Sequence, residues 1–333
     1  MKITVLCGGI SPERSISLIS GAMISNALKR KGHLVACADL CRDVTDADNF
    51  ESKPTEVPTL YDASLDVPSG FSQMGKGILE LCCASDIVIP ALHGGMGEDG
   101  RLQAFLELHR ITHTGATYLP CALAMHKGIS KALFASYGIA VPKGITATPD
   151  TSVCTINEAV GYPCVVKPIC GGSSVGISFA QNDAELKKAL TSAFAHDMEA
   201  IIEEQIIGRE LTVGVLEGKA LPAVEIKPKQ GFYDYKNKYI KGLTEEICPA
   251  HLTESEASLL SETALRAVEA LCIDAYCRVD MILTDDGTAY CLEVNTLPGM
   301  TETSLLPQEA AALGIGFDDL CQMIIDEVLR RKN

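Results

Sequence analysis

No uncharged apolar run in the 333-residue sequence approaches the ~20 residues needed to cross a bilayer, so no membrane-spanning helix is expected. No C-x-x-C pair occurs and no cysteine–histidine set falls at zinc spacing, which leaves the fourteen cysteines without a metal or dithiol signature. They sit mostly inside apolar runs (Cys7, Cys37, Cys82, Cys83, Cys164, Cys272, Cys291), where cysteine behaves as a small hydrophobe. The apolar N-terminal stretch stops at Ser11-Pro12-Glu13-Arg14 without a small-residue cleavage site, so it reads as a first strand and not as an export signal. Reduced thiols and a cytoplasmic location follow as expectations. An excess of basic residues is also missing. The net charge of −15 argues against nucleic acid and would repel polyphosphates unless positive charge were concentrated locally. There is no G-x-G-x-x-G dinucleotide fingerprint, no Walker A loop, no internal repeat and no low-complexity tract.

What remains is an ordinary globular composition, 47% hydrophobic and 21% charged, in a chain long enough for two or three domains. The first third alternates strand and helix. Lys2–Cys7, Leu34–Ala38 and the apolar run Ile87–Leu92 are expected strands; Ser15–Arg30 and Leu102–Leu108 are expected helices. This is the pattern of an open parallel α/β sheet, whose ligands sit beyond the C-terminal strand ends. Residues 41 to 75 read as loop. Ala122–Tyr137 is expected as one helix. Strands follow at Pro163–Lys167, Val175–Ala180, Ala200–Glu204, Glu210–Glu217 and Ala220–Lys227, with helices at Asp183–Ala195, Ser255–Leu271 and Asp318–Arg331 and a hairpin over 277–294.

Five segments are candidates for chemistry. In the hairpin, Asp286-Gly287 is the expected two-residue turn, which pairs Asp280 with Glu293 and Arg278 with Asn295. Period-two alternation then places those four side chains on one face, with Ile282, Leu292 and Val294 burying the other. Two carboxylates directly opposite repel each other, and a divalent cation would relieve that; Asp, Glu and an Asn amide suit Mg²⁺. The second segment, Lys167-Pro168-Ile169-Cys170-Gly171-Gly172-Ser173-Ser174-Val175-Gly176, is a glycine–serine loop of the kind whose amides approach phosphate. Lys167 ends a buried strand, where a lone ammonium calls for an anion. Lys127 carries less weight, since most helix lysines are solvated. The third, Gly8-Gly9-Ile10-Ser11-Pro12-Glu13-Arg14, is accounted for by capping alone: Ser11 as N-cap, Pro12 at N1, Glu13 complementing the dipole. His93 opens a glycine-dense loop, Gly94–Gly100, as structural partner or ligand contact. Finally, five lysines (Lys227, Lys229, Lys236, Lys238, Lys241) face a single acid, Asp234, in one stretch.

With these segments in order, the chain resembles the D-alanine–D-alanine ligase family of the ATP-grasp superfamily. The matching residues are Gly8-Gly9-x-Ser11-x-Glu13-Arg14, Leu92-His93-Gly94 with Gly97-Glu98-Asp99-Gly100, and Lys167-Pro168 with Gly172-Ser173-Ser174-Val175-Gly176. They continue with Phe232-Tyr233-Asp234-Tyr235, Lys238-Tyr239, Arg278-Val279-Asp280, and Glu293-Val294-Asn295-Thr296 with Pro298-Gly299-Met300-Thr301 and Ser304-Leu305. The resemblance implies an α/β ATP-grasp fold with three parts: 1–119 a Rossmann-like substrate domain, 120–206 a central ATP-grasp subdomain, and 207–333 a C-terminal ATP-grasp subdomain with the metal site. It implies ATP-dependent joining of two D-alanines through an acyl phosphate, for peptidoglycan precursors, by a cytoplasmic homodimer. Glu13 would hold the first ammonium through a network with Ser173 and Tyr239, and His93 would lie near that substrate. Lys127, Lys167 and Lys238 would bind phosphates with Ser173 and Ser174. Glu203 and the backbone near Ile206 would meet the adenine, and Glu210 the ribose. Asp280, Glu293 and Asn295 would ligate two Mg²⁺, with Mn²⁺ able to substitute. Arg278 and the amide of Gly299 would form the oxyanion site, and Ser304-Leu305 would seat the second carboxylate. Tyr239 stands where ester-forming relatives depart from tyrosine, and Leu305 where D-serine-forming relatives carry a basic residue. Glu204 replaces a frequent lysine and His126 a usual aspartate, which puts nucleotide contacts in question.

Overall fold

The computed structural model describes residues 1–58, 72–172, 174–229, 242–301 and 304–332. Strands β1 (Lys2–Cys7), β2 (Leu34–Asp39) and β3 (Ile87–Pro90) form a parallel sheet in the order β2-β1-β3, with Ile3 opposite both Val35 and Ile87. Alternation along these strands feeds two cores. Ile3 and Val5 pack with Ile24 and Leu28 of α1 (Arg14–Arg30), while Leu6 and Val88 pack with Ile78 and Leu81 of α2 (Ile78–Cys83) and Leu102 and Leu106 of α3 (Arg101–Leu108). The first core also takes Leu320, Ile324 and Val328 from the last helix of the chain, α10 (Phe317–Lys332). Arg30 fastens that helix, donating from Nε and Nη2 to Asp318 at 2.8 and 2.6 Å. The C-terminal segment therefore completes the layer begun by the first sheet.

Two antiparallel sheets follow. One runs β4-β7-β5-β6, from β4 (Gly144–Ala147), β5 (Cys164–Pro168), β6 (Ser178–Ala180) and β7 (Ala200–Glu204). Val166 and Ile202 bury one face of it against α7 (Asp183–Phe194), and α6 (Val153–Ala159) adds Ile156, so period two turns Val165, Lys167 and Glu203 to the other face. The other sheet runs β11-β10-β8-β12-β13, with β9 (Lys219–Ala220) on β8 (Arg209–Leu216). Its remaining strands are β10 (Val224–Pro228), β11 (Thr244–Ile247), β12 (Cys277–Leu283) and β13 (Ala289–Asn295). Leu211, Val213, Val279 and Met281 bury it against α8 (Glu254–Ala270), which starts on a capping box between Thr253 and Glu256.

The expected single helix over 122–137 is two, α4 (Tyr118–Met125) and α5 (Lys127–Ser136). The break is at His126, which has extended backbone (φ −88°, ψ 94°) and caps the second helix, its Nδ1 accepting from the Ile129 amide at 3.3 Å. His126 thus fills the acceptor role an aspartate would have. The largely apolar run of 118–137 hides this break, because both helices bury one face; Gly128, in the first turn of α5, is the one local signal near the junction. A further helix, α9 (Leu305–Ala312), was not expected from the pattern. Among the described residues, no helix is long and apolar enough to cross a membrane.

Candidate active site

The metal-type face forms as expected, though by a different route. Arg278 pairs with Asn295 and Asp280 with Glu293. The turn is not Asp286-Gly287 alone: Thr284 accepts from and donates to its partners across a three-residue loop, its amide bonding Thr288 O at 3.0 Å, with Gly287 at φ +83°. That shifts the register by one residue, and a bulge between Asp280 and Met281 shifts it back, leaving Leu292 as the extra residue. The bulge turns Leu292 into the cleft beside Glu293, and Ile282, two residues from Asp280 on the regular strand β12, shares its face by period two; of the three apolar residues assigned to the opposite face, only Val294 joins the core.

Arg278 grips Asp280 with both arms, Nε to Oδ1 and Nη2 to Oδ2 at 2.9 Å each. Thr212, opposite Asp280 on β8 and fully buried, donates its hydroxyl to Oδ1 at 2.6 Å. Sequence reasoning missed Thr212; only its β8–β12 register reveals it. Asn295 accepts from the Leu297 amide at 2.9 Å, which fixes its side chain. Among the described residues no three His, Cys, Asp or Glu side chains gather as a metal cage. The donor set is two carboxylates and one amide, all oxygen, which fits Mg²⁺ completed by water and phosphate oxygens.

The glycine–serine loop joins β5 to β6. Lys127 is the first residue of α5 and 7% exposed, not a solvated helix lysine; its ammonium donates to Gly171 O at 2.6 Å and lies 3.6 Å from Glu293. Lys167 has an anion within the protein, so its burial alone never required phosphate: Nζ is 2.7 Å from Glu203 Oε2, and Lys131 Nζ is 2.7 Å from Oε1. Glu203 is 2% exposed. Burial alone would raise its pKa, but the ammoniums of Lys167 and Lys131 hold it down at about 2. The carboxylate that the resemblance assigns to adenine is therefore bound between two lysines. Glu204, the other departure, accepts from the Lys143 amide at 2.8 Å.

At the end of β1 the capping account holds only in part. Helix α1 starts at Arg14, two residues later than a Ser11 N-cap and Pro12 at N1 would place it, and Glu13 makes no side-chain cap. Ser11 Oγ accepts from the Glu13 amide at 3.2 Å, as a cap does, and its hydroxyl also donates to His93 O at 2.5 Å, tying the first loop to the one after β3. Glu13 is buried, with its carboxylate close enough to Gly94 that a Cβ there would approach Oε2 to 2.9 Å. Gly8 (φ +77°) makes room for Asp39, whose Oδ1 accepts from Arg14 Nη1 at 2.9 Å; Arg14 also donates to Gly9 O at 2.8 Å. Burial works against the Asp39 carboxylate, yet the bonds from Arg14 and the Cys41 amide keep its pKa below the usual range. His93 is held between Glu98 (Nδ1–Oε1 3.6 Å) and Ser20 (Nε2–Oγ 3.4 Å).

These pieces converge. One cavity is lined by Glu13, His93, Lys127, Arg278, Glu293, Asn295, Gly299, Ser304 and Leu305. Ser304 Oγ accepts from the Thr301 amide at 2.9 Å and leaves no space for a Cβ on Gly299, so this loop is tightly shaped. A second cleft, of about 570 Å³, opens between the two antiparallel sheets, with Val165 and Phe179 on one wall and Ile282 and Leu292 on the other. Lys167, Ser174, Glu203, Ile206, Glu210 and Asp280 also line it. Glu293 belongs to both spaces. Ser173, Lys238 and Tyr239, together with the Phe232–Tyr235 motif, lie outside the described residues.

The family model described as D-ala D-ala ligase C-terminus matches residues 127–326, and that described as D-ala D-ala ligase N-terminus matches residues 2–116. The chain belongs to the D-alanine–D-alanine ligase family. It is 41% identical over 331 residues to a D-alanine–D-alanine ligase of Syntrophotalea carbinolica, covering 99% of this chain and 97% of that one. The corresponding ligase of Pediococcus pentosaceus is 38% identical, with 98% and 97% covered. Among solved structures, a D-alanine–D-alanine ligase from Bacillus anthracis aligns with TM-score 0.82 and 33% identity over 100% of this chain and 98% of that one. A D-Ala:D-Ser ligase from Enterococcus faecalis aligns with TM-score 0.79 and 30% identity, covering 98% and 99%. As a family member the chain is an ATP-grasp ligase, and the two sheets facing across a cleft are the grasp.

Proposed function

We propose that the chain joins two D-alanines to D-alanyl-D-alanine, forming ADP and phosphate, in cytoplasmic peptidoglycan precursor synthesis and as a homodimer. The observation that carries this reading is Glu293, shared by an amino-acid-sized cavity and a nucleotide-sized cleft. Both reactants of a phosphoryl transfer can meet only where such spaces join. The three-part division at 119/120 and 206/207 matches this reading, with the cleft between the second and third parts.

In the cavity, Glu13 holds the ammonium of the first D-alanine, aided by Ser173 and Tyr239, and His93 borders it. Its carboxylate then faces the γ-phosphate. Lys127, Lys167 and Lys238 and the loop at Ser173 and Ser174 position the phosphates, while Glu203, Ile206 and Glu210 hold the adenosine. Asp280, Glu293 and Asn295 would hold two Mg²⁺ (or Mn²⁺), which supply charge neutralisation on the phosphates. The carboxylate oxygen attacks phosphorus and ADP leaves, giving an acyl phosphate. The amine of the second D-alanine attacks its carbonyl, the Arg278 guanidinium and Gly299 amide take the oxyanion, and phosphate departs with the carboxylate oxygen. Preorganised donors of this kind are each worth ~3–4 kcal/mol. Ser304 and the N-terminus of α9 seat the second carboxylate.

The 30% identical D-Ala:D-Ser ligase supports D-serine as the competing second substrate. Leu305, buried and apolar in the cavity wall, favours D-alanine, because it offers the serine hydroxyl no partner. Such a pocket rejects an added hydroxyl by no more than about a hundredfold. The experiment is phosphate release with ATP, Mg²⁺ and single amino acids, followed by mass spectrometry of products with D-alanine against equal D-serine or D-lactate. D-alanine alone should suffice, and D-Ala–D-Ala should dominate at pH 7.5; a dominant D-Ala–D-Ser or ester product would overturn the second-subsite assignment.

A further inference from the structure

Lys131 has no part in the roles assigned above, yet it is among the most deeply placed charges near the cleft. It lies one turn beyond Lys127 on α5, is 7% exposed, and does not line the nucleotide cleft. Its ammonium is 2.7 Å from Glu203 Oε1 and donates to the Cys291 carbonyl on β13 at 3.2 Å. On the other side of the same carboxylate stands Lys167, which does line the cleft. Lys131 and Lys167 are the charged groups bound to Glu203; Glu210 and Glu293 act on Lys167 from beyond them.

Two ammoniums on one carboxylate are one more than neutrality requires. Burial pulls Lys131 down from the usual lysine range, and Lys167 repels it, so the second cation is held at a disadvantage. The arrangement becomes intelligible once a polyphosphate enters the cleft. Lys167 then has a stronger anion to follow, and without Lys131 its departure would strand a buried carboxylate. We propose that Lys131 is a positioning residue that keeps Glu203 ionised and in place, so that Lys167 is released to the nucleotide phosphates. Glu203 then remains a fixed hydrogen-bond acceptor at the edge of the base. The inference rests on the nucleotide reading of this cleft.

The test uses the full-length protein and the variant Lys131→Met, which keeps the stem and removes the charge. Binding of the non-hydrolysable analogue adenylyl imidodiphosphate with Mg²⁺ is measured by calorimetry in two buffers of different ionisation enthalpy, at pH 7. Nucleotide affinity should fall about tenfold or more, and binding should take up as much as about one proton more than wild type, since a stranded buried carboxylate has a pKa above neutrality. The KM for ATP should rise while kcat at saturating ATP and the KM for D-alanine stay close to wild type. Adding Glu203→Gln should abolish the extra proton. A lowered melting temperature with unchanged affinity and proton count would reduce Lys131 to a structural lysine and overturn the proposal. If Lys131→Met does not fold, the comparison moves to Glu203→Gln against Lys131→Met/Glu203→Gln. Equal nucleotide affinities support the proposal, and a tenfold loss in the double variant contradicts it. Failure of wild type itself to bind the analogue would count against the nucleotide reading and take this inference with it, whereas normal wild-type binding isolates the role of Lys131.

Discussion

The nucleotide cleft has a charge cluster on each wall, and they are built differently. On the β5–β7 wall, Lys131, Glu203 and Lys167 form a closed triad whose side chains are 8%, 2% and 13% exposed. On the β12–β13 wall, Asp280 and Glu293 face each other across a bulged hairpin, and Glu293 remains 34% exposed with Lys127 no nearer than 3.6 Å. The first cluster holds its carboxylate between two cations of the fold, each at 2.7 Å. The second holds a carboxylate that lines both spaces, with the Lys127 ammonium 3.6 Å away. Glu203 is tied to lysines of two other elements and so couples the cleft to the fold, whereas Glu293 lines the place where the two spaces join.

The sharpest way to break this contrast is to neutralise each wall in turn. Glu293→Gln should lower kcat on the order of 10³-fold, the scale of several kcal/mol that a bound metal contributes to phosphoryl transfer, while the melting curve moves little. Undiminished turnover at saturating Mg²⁺ would remove the hairpin face from the mechanism. Glu203→Gln should instead destabilise the fold by about 3 kcal/mol at neutral pH. Its sign is specific. The folded pKa, about 2, lies below the ordinary value of 4.5, so the stabilisation is complete above pH ~4.5 and is lost as pH falls toward 2. Denaturant titrations of wild type and variant should therefore converge on acidification; a gap that stays constant with pH would mean Glu203 is not held by its lysines.

Much of the second wall was legible and most of the first was not. The pairing of Asp280 with Glu293 follows from Asp-Gly and strand alternation, but it emerged correctly because the three-residue turn and the bulge at Leu292 offset each other. Gly287 suits the left-handed position of a two- or a three-residue turn alike, and Leu292 differs in no way from an ordinary core leucine until its register is known. The triad was hidden for another reason. Lys131, Lys167 and Glu203 come from α5, β5 and β7, and only the packing of α5 under both sheets brings them together. The solvated reading of Lys127 failed at the same place, because the helix break at His126 puts that lysine at a first turn pointing into the site. Ser11 was legible only in part: its oxygen accepts from the Glu13 amide as a cap does, but its bond to the His93 carbonyl, which joins two loops, depends on packing.

Smaller effects refine the comparison. Glu13→Gln should raise the KM for D-alanine about tenfold, since hydrogen bonds to charged groups are worth ~1.5–3 kcal/mol, with a stability change below about 1 kcal/mol. A large drop in stability with unchanged KM would return Glu13 to a purely structural role. Thr212→Val removes only the buried hydroxyl behind Asp280 and should cost about 1 kcal/mol of stability. It should also weaken Mg²⁺ activation by roughly tenfold, as loss of a group orienting a metal ligand does; an unchanged Mg²⁺ dependence would separate Asp280 from the metal.

The account as a whole turns on the first carboxylate attacking the γ-phosphate at the junction marked by Glu293. Ligation of D-alanine labelled with ¹⁸O in both carboxylate oxygens tests this directly, with mass spectrometry of the released phosphate. Each turnover should deliver one labelled oxygen to inorganic phosphate and leave ADP unlabelled. Unlabelled phosphate alongside dipeptide formation would contradict an acyl phosphate and, with it, the mechanism read from this site.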